Sequence, residues 1–127
     1  MFTNKDERFY PLMGPFLANR EVEKEIGYKL YDDDDKEWFV ALEGNKVIGF
    51  CYRQEKSKGN YQIGSCYVVK EHRDKGVVKR LLNKAMDGLS GNVQLTTKSP
   101  VLQKVLVKAG FVELGRRGSF IRYGRQI

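Results

Sequence analysis

Apolar and polar positions change period several times along the 127-residue chain, and each change marks an element. Residues 1–19 show no sustained pattern, and Pro11, Gly14 and Pro15 break any long helix there. From Arg20 to about Leu30 the spacing turns helical. Val22, Ile26 and Leu30 share a face, Asn19 serves as cap, and Glu21 and Glu23 suit the first turn, although Gly27 weakens the helix. Asp32 to Asp35 read as a solvated acidic loop, because like charges repel and aspartate is a poor helix former. Trp38 to Glu43 and Lys46 to Arg53 are rich in β-branched and aromatic residues. With Gly44-Asn45 between them as a two-residue turn, they predict a hairpin. Residues 54–60 read as a basic, glycine-containing loop and Tyr61 to Val69 as a third strand.

The period then lengthens. Val77, Val78, Leu81, Leu82, Ala85, Met86 and Leu89 recur as pairs four residues apart, with Lys79, Arg80, Asn83, Lys84 and Asp87 off that face, so an amphipathic helix is predicted. Ser90-Gly91-Asn92 ends it, and Val93 to Thr97 is a short strand. Ser99 and Pro100 suit the cap and first position of another helix. Its apolar face is Val101, Leu102, Val105, Leu106 and Ala109, and Gly110 falls just past its end. Phe111 to Leu114 and Ser119 to Arg125 predict a closing hairpin around Arg117-Gly118. Strand, helix, strand in the middle implies a parallel crossover, and the hairpins add antiparallel strands. The expected class is α/β (α+β): a mixed, mostly antiparallel sheet flanked by helices, in one domain.

Composition narrows the function. Hydrophobic content of 41% and charged content of 31% exclude a disordered chain. No apolar run approaches the roughly 20 residues that span a bilayer, and the N-terminus lacks the apolar core of a secretory signal. A cytoplasmic protein without membrane contact is expected. Cys51 and Cys66 sit in apolar, strand-like runs and read as buried free thiols of a reducing compartment. With His72 the one histidine, a His/Cys zinc site is not expected, and no metal is. The net charge of +7 is uneven: residues 1–36 carry −3 and residues 37–127 carry +10. That asymmetry points to a polyanion partner for the C-terminal part, with nucleic acid and a phosphate-rich cofactor both open. Arg116, Arg117, Arg122 and Arg125, interleaved with Phe120 and Tyr123, would suit nucleic acid.

Residues 67–82, YVVKEHRDKGVVKRLL, carry a strand through a loop straight into a helix. The first amides of a helix attract anions, and a glycine at the turn lets backbone approach a phosphate. Arg73, Lys75 and Lys79 add positive charge, so the segment is a candidate pyrophosphate cradle. It is neither a Walker A loop nor a dinucleotide fingerprint. An ordinary basic turn remains the alternative.

Arg73-Asp74-Lys75-Gly76-Val77-Val78 resembles the R/Q-x-x-G-x-G/A loop of the Gcn5-related N-acetyltransferase (GNAT) family. Val68 falls where that family's strand valine does, and Lys108-Ala109-Gly110-Phe111 matches its later helix ending in Gly-Phe. The resemblance covers about residues 37–115 as the cofactor-binding core, with 1–36 as a variable helical part and 116–127 as the closing strand. It implies central parallel strands splayed in a V and acetyl-CoA as co-substrate. Val68 and Val69 would meet the pantetheine arm. Residues Arg73, Asp74, Lys75, Gly76, Val77, Val78 and Lys79 would hold the pyrophosphate. The acceptor would be a primary amine on a small molecule, peptide or protein, drawn by the acidic N-terminal part.

Some positions depart from the family pattern. Val78 replaces a small residue, Leu106 stands where a proton-donating tyrosine is common, and Gln62 where some members place a basic glutamate. The side chains left for catalytic roles are Ser99, to hydrogen-bond the thiolate, Gln62, to orient a water, and Tyr67, as acid or cleft wall. An amide near Val68 would receive the oxyanion. His72 reads as a loop residue and Cys66 lacks an activating base. The main expectation is an amine acetyltransferase working by direct attack, as monomer or homodimer. The alternative is a catalytically weakened relative that binds nucleic acid or regulates a partner.

Overall fold

The computed structural model describes residues 1–33 and 35–127, so Asp34 of the acidic run lies outside the described residues. The strands are β1 (Phe2–Thr3), β2 (Lys36–Glu43), β3 (Lys46–Ser57), β4 (Asn60–Val68), β5 (Asn92–Thr97), β6 (Val112–Arg117) and β7 (Phe120–Gln126). They form one sheet in the order β1-β2-β3-β4-β5-β7-β6. The helices are α1 (Phe9–Met13), α2 (Arg20–Ile26), α3 (Val77–Met86) and α4 (Pro100–Lys108). Every neighbouring pair is antiparallel except β4 and β5, which are parallel because α3 carries the chain back between them.

Strand alternation sends side chains to two cores. On one face Phe39, Ile48, Cys51, Ile63, Val93 and Leu95 meet Val77, Leu81, Leu82 and Ala85 of α3 and Leu102 and Leu106 of α4. On the other, Trp38, Val40, Phe50 and Tyr52 meet Phe9 and Met13 of α1 and Val22 of α2. The hairpin around Gly44-Asn45 is present, with Glu43 opposite Lys46.

Some elements differ from the sequence expectation for local reasons. Within residues 1–19 the chain makes the short β1 and α1; Pro11 is tolerated because the first turn of a helix has no use for its missing N–H. Residues 54–57 extend β3 instead of forming a loop, because the chain reverses tightly at Lys58-Gly59, where Gly59 has φ +76° and Ser57 faces Asn60. α2 stops at Ile26, capped by Gly27 at φ +100°. Leu30 is nonetheless buried, in the segment after the helix, and its amide donates to the Glu23 carboxylate at 2.8 Å.

One irregularity positions everything that follows. β4 pairs with β5 only from Asn60↔Asn92 to Ile63↔Leu95. Beyond that point β4 follows β3 and β5 follows β7, so the two parallel strands part. The divergence coincides with a bulge in β4 opposite Cys51, where Ser65 takes φ +51°. A bulge bends its strand and increases the local twist, which carries β4 away from β5.

Leu81, 1% exposed at the centre of the α3 layer, ties that helix to the sheet. Leu81→Ala is expected to lower the unfolding free energy by about 2–5 kcal/mol, measured by chemical denaturation.

Candidate functional site

The parted strands enclose a cleft of about 570 Å³. Gly64 to Val68 of β4 form one wall and Leu95 to Lys98 at the end of β5 the other. The starts of α3 and α4 close one side, and Glu25, Ile26 and Tyr28 of the α2 region reach in from the opposite face of the sheet.

The loop entering α3 has the character of an anion cradle. After a single 3₁₀ turn at Lys70–His72, Asp74 adopts φ +63° and Gly76 φ +76°, and α3 begins at Val77. No side chain caps this helix. Among the described residues, the amides of Gly76, Val77, Val78 and Lys79 have no hydrogen-bond partner. These donors stand at the positive end of the helix dipole, beside an open cleft, with Lys79 on its wall. Asp74 also lines the cleft, and its carboxylate would repel an anion there. Val78 is half-buried against the core and lines the cleft mouth. The Lys75 side chain does not line the cleft.

Arg73 has a different duty from the one expected. Its Nε donates to the Val68 carbonyl at 2.8 Å and its Nη2 to Glu25 at 2.6 Å, with the guanidinium over the Tyr67 ring at 5.6 Å. It therefore fastens the end of β4 to α2 while lining the cleft. Val69 also turns away. Its amide donates to the Ile48 carbonyl at 2.9 Å and its side chain packs on the core, so Val68, not Val69, faces the cleft. Strand alternation directs the Val68 amide opposite to that of Val69, toward the open side.

The candidate catalytic side chains do not converge. Gln62 lies in the closed part of the strand pair, opposite Gln94, and its amide nitrogen donates to the Tyr52 hydroxyl at 3.0 Å. It does not line the cleft. Ser99 is on the wall, but its Oγ caps α4 by accepting from the Leu102 amide at 3.3 Å. Tyr67 stacks on Phe50 at 5.5 Å between ring centroids, and burial pushes its phenol up. Leu106 is fully buried in the core, so a tyrosine at that position would not reach the cleft; Val101, Leu102 and Val105 of α4 do.

His72 Nε2 lies 3.0 Å from Glu43, and its Nδ1 is buried without a partner among the described residues. Cys66 lines the cleft and Cys51 is buried behind it, both free. Contact with Cys66, together with burial, pushes the Cys51 thiol up. The acidic loop is elsewhere: Asp32 accepts hydrogen bonds from the Trp38 indole and the Tyr10 hydroxyl, and none of Asp32, Asp33 and Asp35 lines the cleft. The cleft's carboxylates are Asp74 and Glu25, the latter paired with Arg73. In the last hairpin Arg116 is paired with Glu113, and Arg125 donates to the Ala109 carbonyl at 2.7 Å. This leaves Arg117 and Arg122 as the arginines of that hairpin without such a bond among the described residues. Sequence reasoning missed Tyr28, whose hydroxyl reaches the bulge; nothing in its local pattern distinguishes it from a surface tyrosine.

A family model described as the acetyltransferase (GNAT) family matches residues 4–107. A search of curated proteins finds no match. Among solved structures, an acetyltransferase of the GNAT family from Staphylococcus aureus is similar with a TM-score of 0.73 and 16% identity, covering 98% of each chain. An acyl-CoA N-acyltransferase from Pseudomonas aeruginosa gives 0.72 and 19%, covering 91% of this chain and 88% of that one. The Campylobacter jejuni N-acetyltransferase PseH, solved in complex with acetyl coenzyme A, gives 0.59 and 13%, covering 74% and 70%. At these identities the likeness is one of fold.

The cleft floor depends on Tyr52, whose ring lies under Gly64; a Cβ there would come within 2.5 Å of its hydroxyl. Burial pushes the Tyr52 phenol up to about 12. An acid whose folded-state value is raised stabilises the fold fully below the unfolded value, about 10, and loses that contribution as pH rises through about 12. Spectrophotometric titration is expected to show a phenol that ionises near pH 12 and is absent from Tyr52→Phe.

Proposed function

The chain belongs to the GNAT acetyltransferase family, and on that premise we propose that it moves an acetyl group from acetyl-CoA to a primary amine by direct attack. The observation that carries the proposal is the set of unpartnered amides from Gly76 to Lys79 beside an open, splayed strand pair. In this reading those amides and Lys79 hold the pyrophosphate, and the exposed edge of β4 from Val68 back to Ser65 receives the pantetheine arm. An amide of that edge near the end of the arm donates to the carbonyl oxygen as charge develops there, which is ordinarily a large electrostatic contribution. Holding amine and thioester side by side removes several kcal/mol of the barrier through lost translational and rotational freedom. No helix among the described residues is long and apolar enough to cross a membrane, and free cysteines suit a reducing, cytoplasmic setting.

A second reading rests on Val78. Its branched side chain at the mouth and the lack of a tyrosine on the cleft side of α4 suit a weakened relative whose basic surface meets nucleic acid. Salt separates the two readings. Polyanion binding falls steeply with salt and does not need the cleft.

Acetyl-CoA is expected to raise the melting temperature progressively with concentration, by about 2.7 kcal/mol of stability at one hundred times Kd. Release of the CoA thiol in the presence of a set of primary amines reports transfer. Gly76→Val places a β-branched residue at φ +76° and should weaken acetyl-CoA binding at least about tenfold by calorimetry, because αL backbone is costly for such residues. Absence of any acetyl-CoA shift, with salt-sensitive DNA binding, would favour the second reading.

A further inference from the structure

Proton transfer to sulfur needs a donor that an amide cannot supply, and the cleft holds a hydroxyl in the right place. Tyr28 follows α2 just beyond Gly27, and its ring enters the cleft from the face of the sheet opposite α3 and α4. Its hydroxyl oxygen accepts the Ser65 amide at 2.7 Å. Ser65 is 2% exposed and sits on the bulge, two positions past Ile63, the last β4 residue still paired with β5. The oxygen is therefore pinned at the apex of the V. The Ser65 hydroxyl lies against the same oxygen; it can donate to Tyr28, as the amide does, and leave the phenol proton to face the cleft.

Three other hydroxyls nearby have structural duties. Ser99 caps α4. Tyr67 is held between Phe50 and the Arg73 guanidinium. Tyr52 lies beneath Gly64 and accepts from Gln62. From Val68 back to Ser65 the strand covers roughly 10 Å, so an arm laid along β4 from the amides of α3 ends beside Tyr28. The site of Tyr28 is stable because Gly27 admits close packing: a Cβ there would lie 2.5 Å from the Phe120 ring. Burial pushes the Tyr28 phenol up, which keeps it protonated at neutral pH, while the Ser65 amide and hydroxyl act in the opposite sense.

We infer that Tyr28 is a catalytic residue, the proton donor to the departing sulfur, with its oxygen oriented by the Ser65 amide. The inference rests on the acyl-CoA reading above. As the bond from amine nitrogen to carbonyl carbon forms, the carbon–sulfur bond breaks and its electron pair passes to sulfur. Sulfur takes the proton from the Tyr28 hydroxyl. The phenolate regains one from solvent, which also receives the proton lost by nitrogen. The balance is amine plus thioester giving amide plus thiol.

The test needs no acceptor. CoA itself, as free thiol, is bound to the protein and its thiol titrated by thiolate ultraviolet absorbance. A Tyr28 hydrogen bond to the thiolate is expected to hold the bound thiol about one pKa unit, a tenfold change in proton affinity, below its value in the Tyr28→Phe complex. Tyr28→Met is the second variant should Tyr28→Phe fold poorly, and the CoA-induced melting shift of each variant reports an intact cleft. Equal titration in parent and variant complexes overturns the Tyr28 role while leaving the acyl-CoA reading in place. A parent complex whose thiol titrates no lower than free CoA overturns it as well. Failure of CoA to shift the parent's melting temperature at all overturns both.

Discussion

The parting of β4 from β5 is the constraint on which the rest of this structure depends. A strand that leaves its neighbour exposes amides and carbonyls, and such groups are costly unless they find partners. Here two of them find different solutions. The Ser65 amide is taken by the Tyr28 hydroxyl and the Val68 carbonyl by Arg73, while β3 continues to hold the far edge of the strand. What remains open is a short edge of β4 with the unpartnered start of α3 at its end. The gap is thus a built cleft with two donor-rich zones, and not a failure of sheet formation.

α2 holds both arms of the V. On the β4 side Glu25 pairs with Arg73 and Tyr28 bonds to Ser65. On the β5 side Lys98 donates to the Lys24 carbonyl at 3.1 Å, and Phe120 of β7 packs where Gly27 leaves room. The N-terminal helices therefore set the width of the cleft, although they carry none of the loop that enters α3. Because the Glu25–Arg73 pair is more than one-third exposed on both sides, screening limits its strength. The cooperation of several such ties, and not any one of them, keeps α2 in place.

Charge follows the same division. Several carboxylates of the N-terminal part are engaged internally, Glu23 with the Leu30 amide, Glu25 with Arg73 and Asp32 with Trp38. They stabilise the layer that carries Tyr28.

Much was legible in the residues alone. The hairpin at Gly44-Asn45, the amphipathic face of α3, the capped start of α4 and the glycine turn into α3 at Gly76 all depend on interactions a few residues apart, so spacing and turn chemistry sufficed. The family resemblance rested on the same local segments. The reach of Arg73 to Glu25, the turning of Val69 and Leu106 into the core, the confinement of Gln62 below the apex and the arrival of Tyr28 beside Ser65 are of another kind. Tyr28 and Ser65 are 37 positions apart and Arg73 and Glu25 are 48. Each contact exists because a bulge bends one strand and helices from opposite ends of the chain close on opposite faces of the sheet. Periodicity records which face a residue occupies; only the packed sheet decides which residues from distant segments meet across it.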